Sequence, residues 1–185
     1  MLGVEWFLLG LILVVLALLV LVYNGLVKAR NMVENSWSQI DVQLKKRFDL
    51  VPNLVETVKG YAKHEREVFQ KVSEARSAMM RAQGVADKAK ANDMLTGALK
   101  TLFAIAEAYP KLEASANFKE LQEELSDIEG KIAYARQFYN DAVLEYNNSI
   151  QTVPNNVIAG SMGFGKKEFF AIEGEEKKPV KVKFD

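Results

Sequence analysis

An uninterrupted apolar stretch near the N-terminus constrains this chain more than any other feature. No charged residue lies between Glu5 and Lys28, and only two glycines and one asparagine among the 22 residues from Trp6 to Val27 fall outside the hydrophobic set. An α-helix rises ~1.5 Å per residue, so this stretch reaches about 33 Å, which matches a hydrocarbon core ~30 Å thick. The sequence therefore predicts that residues 1–27 hold a single transmembrane anchor.

A cleaved signal peptide is the alternative interpretation of such a stretch. It requires a basic start, an apolar core of about 7–15 residues and a small-residue cleavage site. Here the one charged residue before the stretch is Glu5, the stretch is longer than that core, and no A-x-A pattern follows Tyr23. An uncleaved anchor is therefore favoured, with Trp6 and Tyr23 expected at the two membrane interfaces, where amphipathic rings are enriched.

The basic residues around the anchor predict its orientation. None precedes it, whereas the twenty residues after it contain Lys28, Arg30, Lys45, Lys46 and Arg47. Basic residues near a span are retained on the cytoplasmic side. We therefore expect a short N-terminus outside the cell membrane and the rest of the chain in the cytoplasm.

The composition of the whole chain excludes several classes of protein. With 24 Lys+Arg against 24 Asp+Glu, there is no basic excess to support a nucleic-acid partner. The absence of cysteine excludes disulfides, thiol catalysis and cysteine-based zinc or iron–sulfur sites. Although 49% of the residues are hydrophobic, the excess lies in the anchor, so the remainder has the composition of one soluble domain.

Apolar residues beyond the anchor recur at helical spacing. The anchor is expected to continue into a first soluble helix from Leu26, because no proline intervenes before Pro52. Pro52 removes a backbone donor and disfavours helix at the preceding residue, so we predict a helix boundary there. Apolar stripes predict three further helices, at residues 54–79, 95–109 (closed by Pro110) and 118–150.

The apolar steps average 3.5 residues, which is typical of nearly antiparallel helix packing. The predicted fold is all-α, with the N-terminal transmembrane helix continuing into an antiparallel four-helix (up-down-up-down) bundle over 28–153, then an irregular, non-helical C-terminal tail over 154–185. This order puts the tail at the membrane-proximal end. A straight second helix to residue 83 would span about 46 Å against about 31 Å for residues 28–48, so the bundle must tilt or bend.

Short blocks spread over nearly the whole chain carry a family likeness: Tyr23-Asn24, Arg30-Asn31, residues 37–44 (WSQIDVQL), residues 49–56 (DLVPNLVE), Gly60-Tyr61-Ala62 with His64-Glu65, Tyr109-Pro110, Phe118, Leu121-Gln122, Tyr139-Asn140, Tyr146-Asn147, Gly163-Phe164 and Phe169-Phe170. On these blocks the chain resembles the LemA family of bacterial single-pass membrane proteins. The resemblance implies an N-terminal anchor and a cytoplasm-facing antiparallel helical bundle. It implies no enzymatic activity and no cofactor.

His64 is the one histidine of the chain, and it does not fit a metal site. A zinc-peptidase helix needs a second histidine four residues on, where Val68 stands, and a di-iron bundle needs two Glu-x-x-His helices. We expect a surface or polar-contact histidine, no catalytic group and no metal or cofactor.

A glycine-rich segment at residues 160–167 (GSMGFGKK) matches the phosphate-binding pattern G-x-x-x-x-G-K. However, Lys167 replaces the Ser or Thr whose hydroxyl would hold Mg²⁺, and no buried strand precedes the segment. We interpret it as a flexible link and not as a nucleotide site.

Acidic residues crowd the start of the fourth predicted helix, at Glu120, Glu123, Glu124, Asp127 and Glu129. Negative charge there is favoured by the helix dipole, and most of these residues lie off the apolar stripe. They are interpreted as a solvated face, since a cation site would need ligands from another helix.

Three arginines, Arg30, Arg76 and Arg136, each follow an alanine on or beside an apolar stripe. An arginine beside a helix seam either extends its charge outward or pairs with a carboxylate, for which Glu65 on the second stripe is a candidate. We interpret these four residues as polar seam contacts that fix packing. The alternative is a cationic groove for an anionic peptide or a lipid headgroup.

Two Tyr-Asn pairs, Tyr139-Asn140 and Tyr146-Asn147, lie one heptad apart on the fourth helix. Buried tyrosines present an apolar ring and a polar tip that needs a partner. We predict core rings with hydrogen-bonded tips, and the alternative is a row of side chains facing a partner.

The tail combines aromatic and basic residues, which favour contact with a membrane interface. The alternative is that its rings close the open end of the bundle. Beyond them, residues 173–178 are charged and residues 180–184 alternate. The candidate contacts with the membrane or a partner are Phe164, Lys166, Lys167, Phe169 and Phe170.

These patterns predict a non-enzymatic, membrane-anchored helical scaffold or adaptor of the bacterial cell envelope. Its expected partners are the lipid bilayer and other envelope proteins, with no nucleic acid, and a homo-oligomer is left open. Two alternatives belong to other classes: a self-assembling structural protein that shapes the membrane, and an enzyme built on carboxylates, lysine or tyrosine. The second would need such groups on facing stripes, whereas the stripes are almost wholly apolar.

Overall fold

A computed structural model describes residues 2–171, and over this range the protein is built from α-helices without any strand. This confirms the predicted all-α class. The predicted residues beyond 171, including the alternating segment at 180–184, lie outside the described range. The six helices are α1 (Leu2–Tyr61), α2 (Arg66–Arg81), α3 (Gly84–Ala106), α4 (Pro110–Glu113), α5 (Ala116–Ser149) and α6 (Asn155–Ser161).

The apolar stretch forms the first part of α1, and no break separates it from the helix that follows. Every described side chain from residue 3 to residue 21 is exposed, so no other part of the described chain buries this stretch. Among the described helices, α1 alone is long and apolar enough to cross a membrane. It is therefore the candidate membrane anchor, and its continuity into the next helix is as predicted.

The predicted helix boundary at Pro52 is wrong, because α1 continues through Pro52 to Tyr61. Proline inside a helix costs about 3 kcal/mol through a lost hydrogen bond and a clash one turn earlier. Its neighbours Val51 and Leu54 are fully buried, and packing of this kind outweighs that cost. Proline disfavours a helix locally, but burial of the neighbouring side chains in the core keeps α1 helical through Pro52.

The chain breaks instead at residues 62–65, after Gly60 and before α2. As a result α2 has 16 residues and spans about 24 Å, well short of the 46 Å expected from an unbroken helix after Pro52. The mismatch between the predicted lengths of the first and second soluble helices therefore came from placing the helix boundary at Pro52. A second turn follows at Gly84, where φ is +78°, a conformation that favours glycine.

The described chain divides into two compact units, residues 2–39 with 137–168 and residues 40–136 with 169–171. The four-helix, up-down-up-down arrangement stays a prediction. The second unit holds one apolar core, to which each predicted stripe contributes. Its largest buried members are Val51, Leu54, Val58, Val68, Val72, Leu95, Leu99, Leu102, Leu112, Phe118 and Leu125.

The first unit packs the soluble start of α1 against the end of α5. The rings of Trp37 and Tyr139 lie 5.5 Å apart, and one pocket is lined by Gly25 of α1 together with Tyr146 of α5. Since higher numbers on α5 meet lower numbers on α1, the two helices are antiparallel here. The end of α5 therefore lies beside the point where α1 leaves its apolar stretch.

The tail differs from the non-helical prediction because residues 155–161 form α6. This helix has seven residues, fewer than the window of about 11–18 in which helical periodicity is read. Pro154 precedes it, and Gly163 follows it with φ of +73°, which lets the chain reverse. From residue 164 the tail is extended, as expected of an irregular segment.

Candidate functional site

The tail is bound along α5 by side-chain hydrogen bonds, and we call residues 164–168 with their partners the tail clasp. The Tyr146 hydroxyl donates to the carbonyl of Gly165 (3.1 Å), and the Tyr139 hydroxyl donates to that of Glu168 (2.8 Å). Between them, Asn147 donates to the Lys167 carbonyl and accepts from the Lys167 N–H, both at 2.9 Å. These side chains give an extended segment the backbone partners that a neighbouring strand would otherwise supply.

The two tyrosines act as core rings with bonded tips, as the heptad spacing predicted. Tyr139 is 2% exposed and Tyr146 is 1% exposed. Burial raises the pKa of Tyr139 to about 12, and the charge of Glu168 adds to this. Burial likewise raises the pKa of Tyr146. Both phenols therefore stay protonated at neutral pH and remain hydrogen-bond donors to the tail.

The first residue of the clasp packs against α1. The Phe164 ring meets Tyr23 edge-on, with centroids 5.9 Å apart, and the Arg30 guanidinium carbon lies 5.4 Å from the Phe164 centroid. At the other end, the Lys167 ammonium is 3.7 Å from the Glu34 carboxylate. Tyr23 and Arg30, which the sequence assigned to a membrane interface and a helix seam, thus both contact the tail.

The predicted tail contacts separate into two groups. Phe164 is buried in the clasp and Phe170 is 1% exposed. By contrast, Lys166 is exposed, and the Phe169 ring is 43% exposed. At the opposite end of the chain, Trp6 is exposed on α1.

The remaining predicted seam residues have separate roles. The Arg76 guanidinium carbon stacks 4.5 Å from the centroid of Phe48, and Arg136 is half-buried on α5. Glu65 accepts a hydrogen bond from the Tyr109 hydroxyl (3.1 Å), so its described partner is a tyrosine and not an arginine. This hydrogen bond raises the pKa of Tyr109.

Sequence reasoning missed the most buried charged residue described, Arg47, whose side chain is 2% exposed. Its Nη1 donates to Asn92 Oδ1 (3.0 Å) and to Thr96 Oγ1 (2.9 Å), and its Nη2 lies 3.5 Å from Glu129 Oε2. Burial lowers the pKa of Arg47, and the charges of Glu129 and Asp93 oppose that shift. One guanidinium thus joins α1, α3 and α5.

A signal for Arg47 was present in the sequence. Ile40, Leu44, Val51 and Leu54 step along the buried stripe of α1, and position 47 completes the step between the second and the third. The residue was counted only among the basic residues that orient the anchor. A charge on an apolar stripe is the pattern that identifies a buried polar contact.

The histidine, the acidic residues of α5 and the glycine-rich segment make contacts of a structural kind. His64 is exposed, and no group of three potential metal-ligating side chains occurs within residues 2–171. Of the acidic residues on α5, Asp127 pairs with Lys131 at 2.6 Å and Glu129 with Arg47. The glycine-rich segment supplies the reversal at Gly163 and the start of the clasp.

A partly open groove of about 170 Å³ lies between α1 and α2 in the second unit. Its floor is apolar, with Phe48 of α1 and the consecutive residues Met79 and Met80 of α2. Met80 is 75% exposed. An ion pair between Lys88 and Asp41 borders the groove.

Replacing Asn147 by alanine should release the clasp. The change removes two hydrogen bonds worth about 0.5–1.5 kcal/mol each, so local opening should become about 5- to 150-fold more frequent. Limited trypsin digestion after Lys166 in the detergent-solubilised protein should accelerate by the same factor. Asn148→Ala, at an exposed position next to it on α5, is the matched control. Equal cleavage rates in the two variants would show that the clasp does not hold the tail.

Replacing Arg47 by alanine should destabilise the fold by about 3–5 kcal/mol, because it leaves a cavity and removes the donor to the buried Asn92 Oδ1. Glu129→Gln should cost about 1 kcal/mol or less, since the Glu129 side chain is 51% exposed and screened by solvent. Denaturant unfolding followed by helical circular dichroism measures both. The assignment fails if the two variants lose the same stability.

Comparison with known proteins agrees with this architecture. A model of the LemA family matches residues 36–184. Protein LemA of Metamycoplasma hominis is 28% identical over 74% of this chain and 63% of its own length. Magnetosome protein MamQ of Magnetospirillum gryphiswaldense is 26% identical over 80% of this chain and 64% of its own length. Magnetosome protein MamQ 1 of Paramagnetospirillum magneticum is 26% identical over 84% of this chain and 66% of its own length. The chain thus spans slightly less than two thirds of these relatives. Since the family match covers most of the sequence, this protein belongs to the LemA family.

Proposed function

We propose that this protein is a membrane-anchored helical scaffold or adaptor that acts by binding other proteins of the cell envelope. The candidate anchor of α1 would hold the helical body at the membrane. The excess of basic residues directly after the apolar stretch supports a cytoplasmic position for that body.

The observation that carries the binding role is the groove between α1 and α2. Met79 and Met80 offer flexible, polarisable side chains, which adapt to apolar groups of different shape. Phe48 contributes a rigid aromatic ring to the same apolar floor, and Arg76 stacks on that ring. The charged residues at the border, Asp41 and Lys88, suit the polar flank of an amphipathic helix. The partner chemistry that fits is therefore an amphipathic helix with one bulky apolar side chain.

Site-specific photocrosslinking in cells tests this proposal. The full-length protein would carry benzoylphenylalanine in place of Met80, and the control would carry it in place of Glu123, an exposed residue of α5 outside the groove. We expect a discrete adduct with another envelope protein from position 80 and none from position 123. Adding Met79→Glu should weaken that adduct, because it puts a charge into the apolar floor.

Two outcomes would contradict the adaptor. Adducts only between copies of this chain would favour the self-assembling structural protein. An adduct that is equally strong from position 123, or unchanged by Met79→Glu, would show that the groove does not select the partner.

A further inference from the structure

The path of the chain in the first unit identifies the turn that lies nearest to the anchor. Trp37 of α1 contacts Tyr139 of α5, whereas Gly25, near the end of the apolar stretch, shares a pocket with Tyr146. Moving along α5 from Tyr139 to Tyr146 therefore means moving toward the apolar part of α1. The chain that follows α5 begins at the membrane end of this unit.

The tail clasp runs in the opposite direction. Its first residues meet Tyr23 and Tyr146, through the ring of Phe164 and the carbonyl of Gly165. Its last residue, Glu168, bonds to Tyr139. The segment therefore leads away from the anchor, and α6, which lies between α5 and the clasp, forms the turn at the membrane end.

This turn buries one set of apolar residues and exposes another. Ile158 and Ala159 are 6% and 3% exposed. Val153, Val157 and Met162 are 82%, 71% and 60% exposed. Single exposed apolar residues are common on protein surfaces. Three of them within ten residues, beside the end of the candidate membrane span, offer apolar surface that lipid would cover.

The charge pattern around α6 fits the same environment. Residues 146–165 contain no charged residue, a run of 20 that only the anchor exceeds in this chain. Lys166 and Lys167 follow at once. Charged side chains are costly in the acyl region, whereas basic residues are favoured near anionic headgroups. The uncharged turn and the basic residues after it thus have the order expected of a segment that enters and leaves a membrane interface.

We infer that residues 151–163, including α6, lie in the interface of the same bilayer that α1 crosses, with Val153, Val157 and Met162 at the boundary between headgroups and acyl chains. This inference rests on the membrane anchoring in the proposed function. A single spanning helix leaves the body free to rotate about the helix axis. The second contact fixes which face of the first unit is turned to the membrane.

Spin-label accessibility in reconstituted vesicles tests the inference, and the absence of cysteine makes single labelling direct. The full-length protein would be labelled at Val157→Cys in vesicles of phosphatidylcholine and phosphatidylglycerol. Leu19→Cys in the anchor and Ser38→Cys on an exposed face of α1 are the lipid and water controls. Collisions with oxygen, which concentrates in lipid, are compared with collisions with a water-soluble nickel chelate. We expect oxygen to exceed nickel at positions 157 and 19, and nickel to exceed oxygen at position 38.

Other collision patterns at positions 157 and 19 would overturn the inference, the anchor or both. Frequent collisions with nickel at position 157, as at 38, would place α6 in water and overturn the inference. Few collisions with either reagent at 157 would mean that protein covers this apolar surface, which also overturns it. In both cases a lipid pattern at position 19 leaves the anchor intact. A water pattern at position 19 would overturn the anchor and this inference together.

Discussion

The fold depends on one constraint, which is that the first third of α1 presents apolar side chains that no other part of the described chain covers. In water this surface would be strongly unfavourable, since each exposed square ångström of apolar area costs roughly 25 cal/mol. A bilayer would remove that cost. The membrane would then take the place of a packing partner for this part of α1.

Polar side chains then hold together the parts that apolar packing alone does not define. Asn147 and two tyrosines of α5 supply hydrogen bonds to the backbone of the extended segment 165–168. Arg47 joins three helices through a buried guanidinium, which bonds to Asn92 and lies 3.5 Å from the half-exposed Glu129 carboxylate. In both features, side-chain hydrogen bonds fix the register of one chain segment against another. The tyrosine hydroxyls and the buried guanidinium are therefore occupied in maintaining the structure.

Much of this architecture follows from sequence because its signals are long. The anchor is an unbroken apolar run and α5 keeps its apolar period over many turns, so the sequence predicts both helices. The alanine-rich start of α3, residues 84–94, carries no clear apolar stripe and was not predicted as part of that helix. Local signals failed where tertiary packing outweighed them, as at Pro52, or where the element was shorter than the period that reveals it, as in α6. The charge of Arg47 also counts toward the basic excess that follows the anchor, so residue type alone does not distinguish it from its exposed neighbours Lys45 and Lys46. The tail clasp joins residues about 20 positions apart, and no periodic pattern links an asparagine to a distant backbone carbonyl.

The central proposal is that α1 crosses the membrane once and carries the helical body on the cytoplasmic side. Labelling of single cysteines in intact spheroplasts by a membrane-impermeant maleimide tests it most directly, with Gly3→Cys before the apolar stretch and Ser38→Cys after it. The account predicts that Gly3→Cys reacts at once, whereas Ser38→Cys reacts only after detergent opens the membrane. Immediate reaction of Ser38→Cys in intact spheroplasts would contradict it.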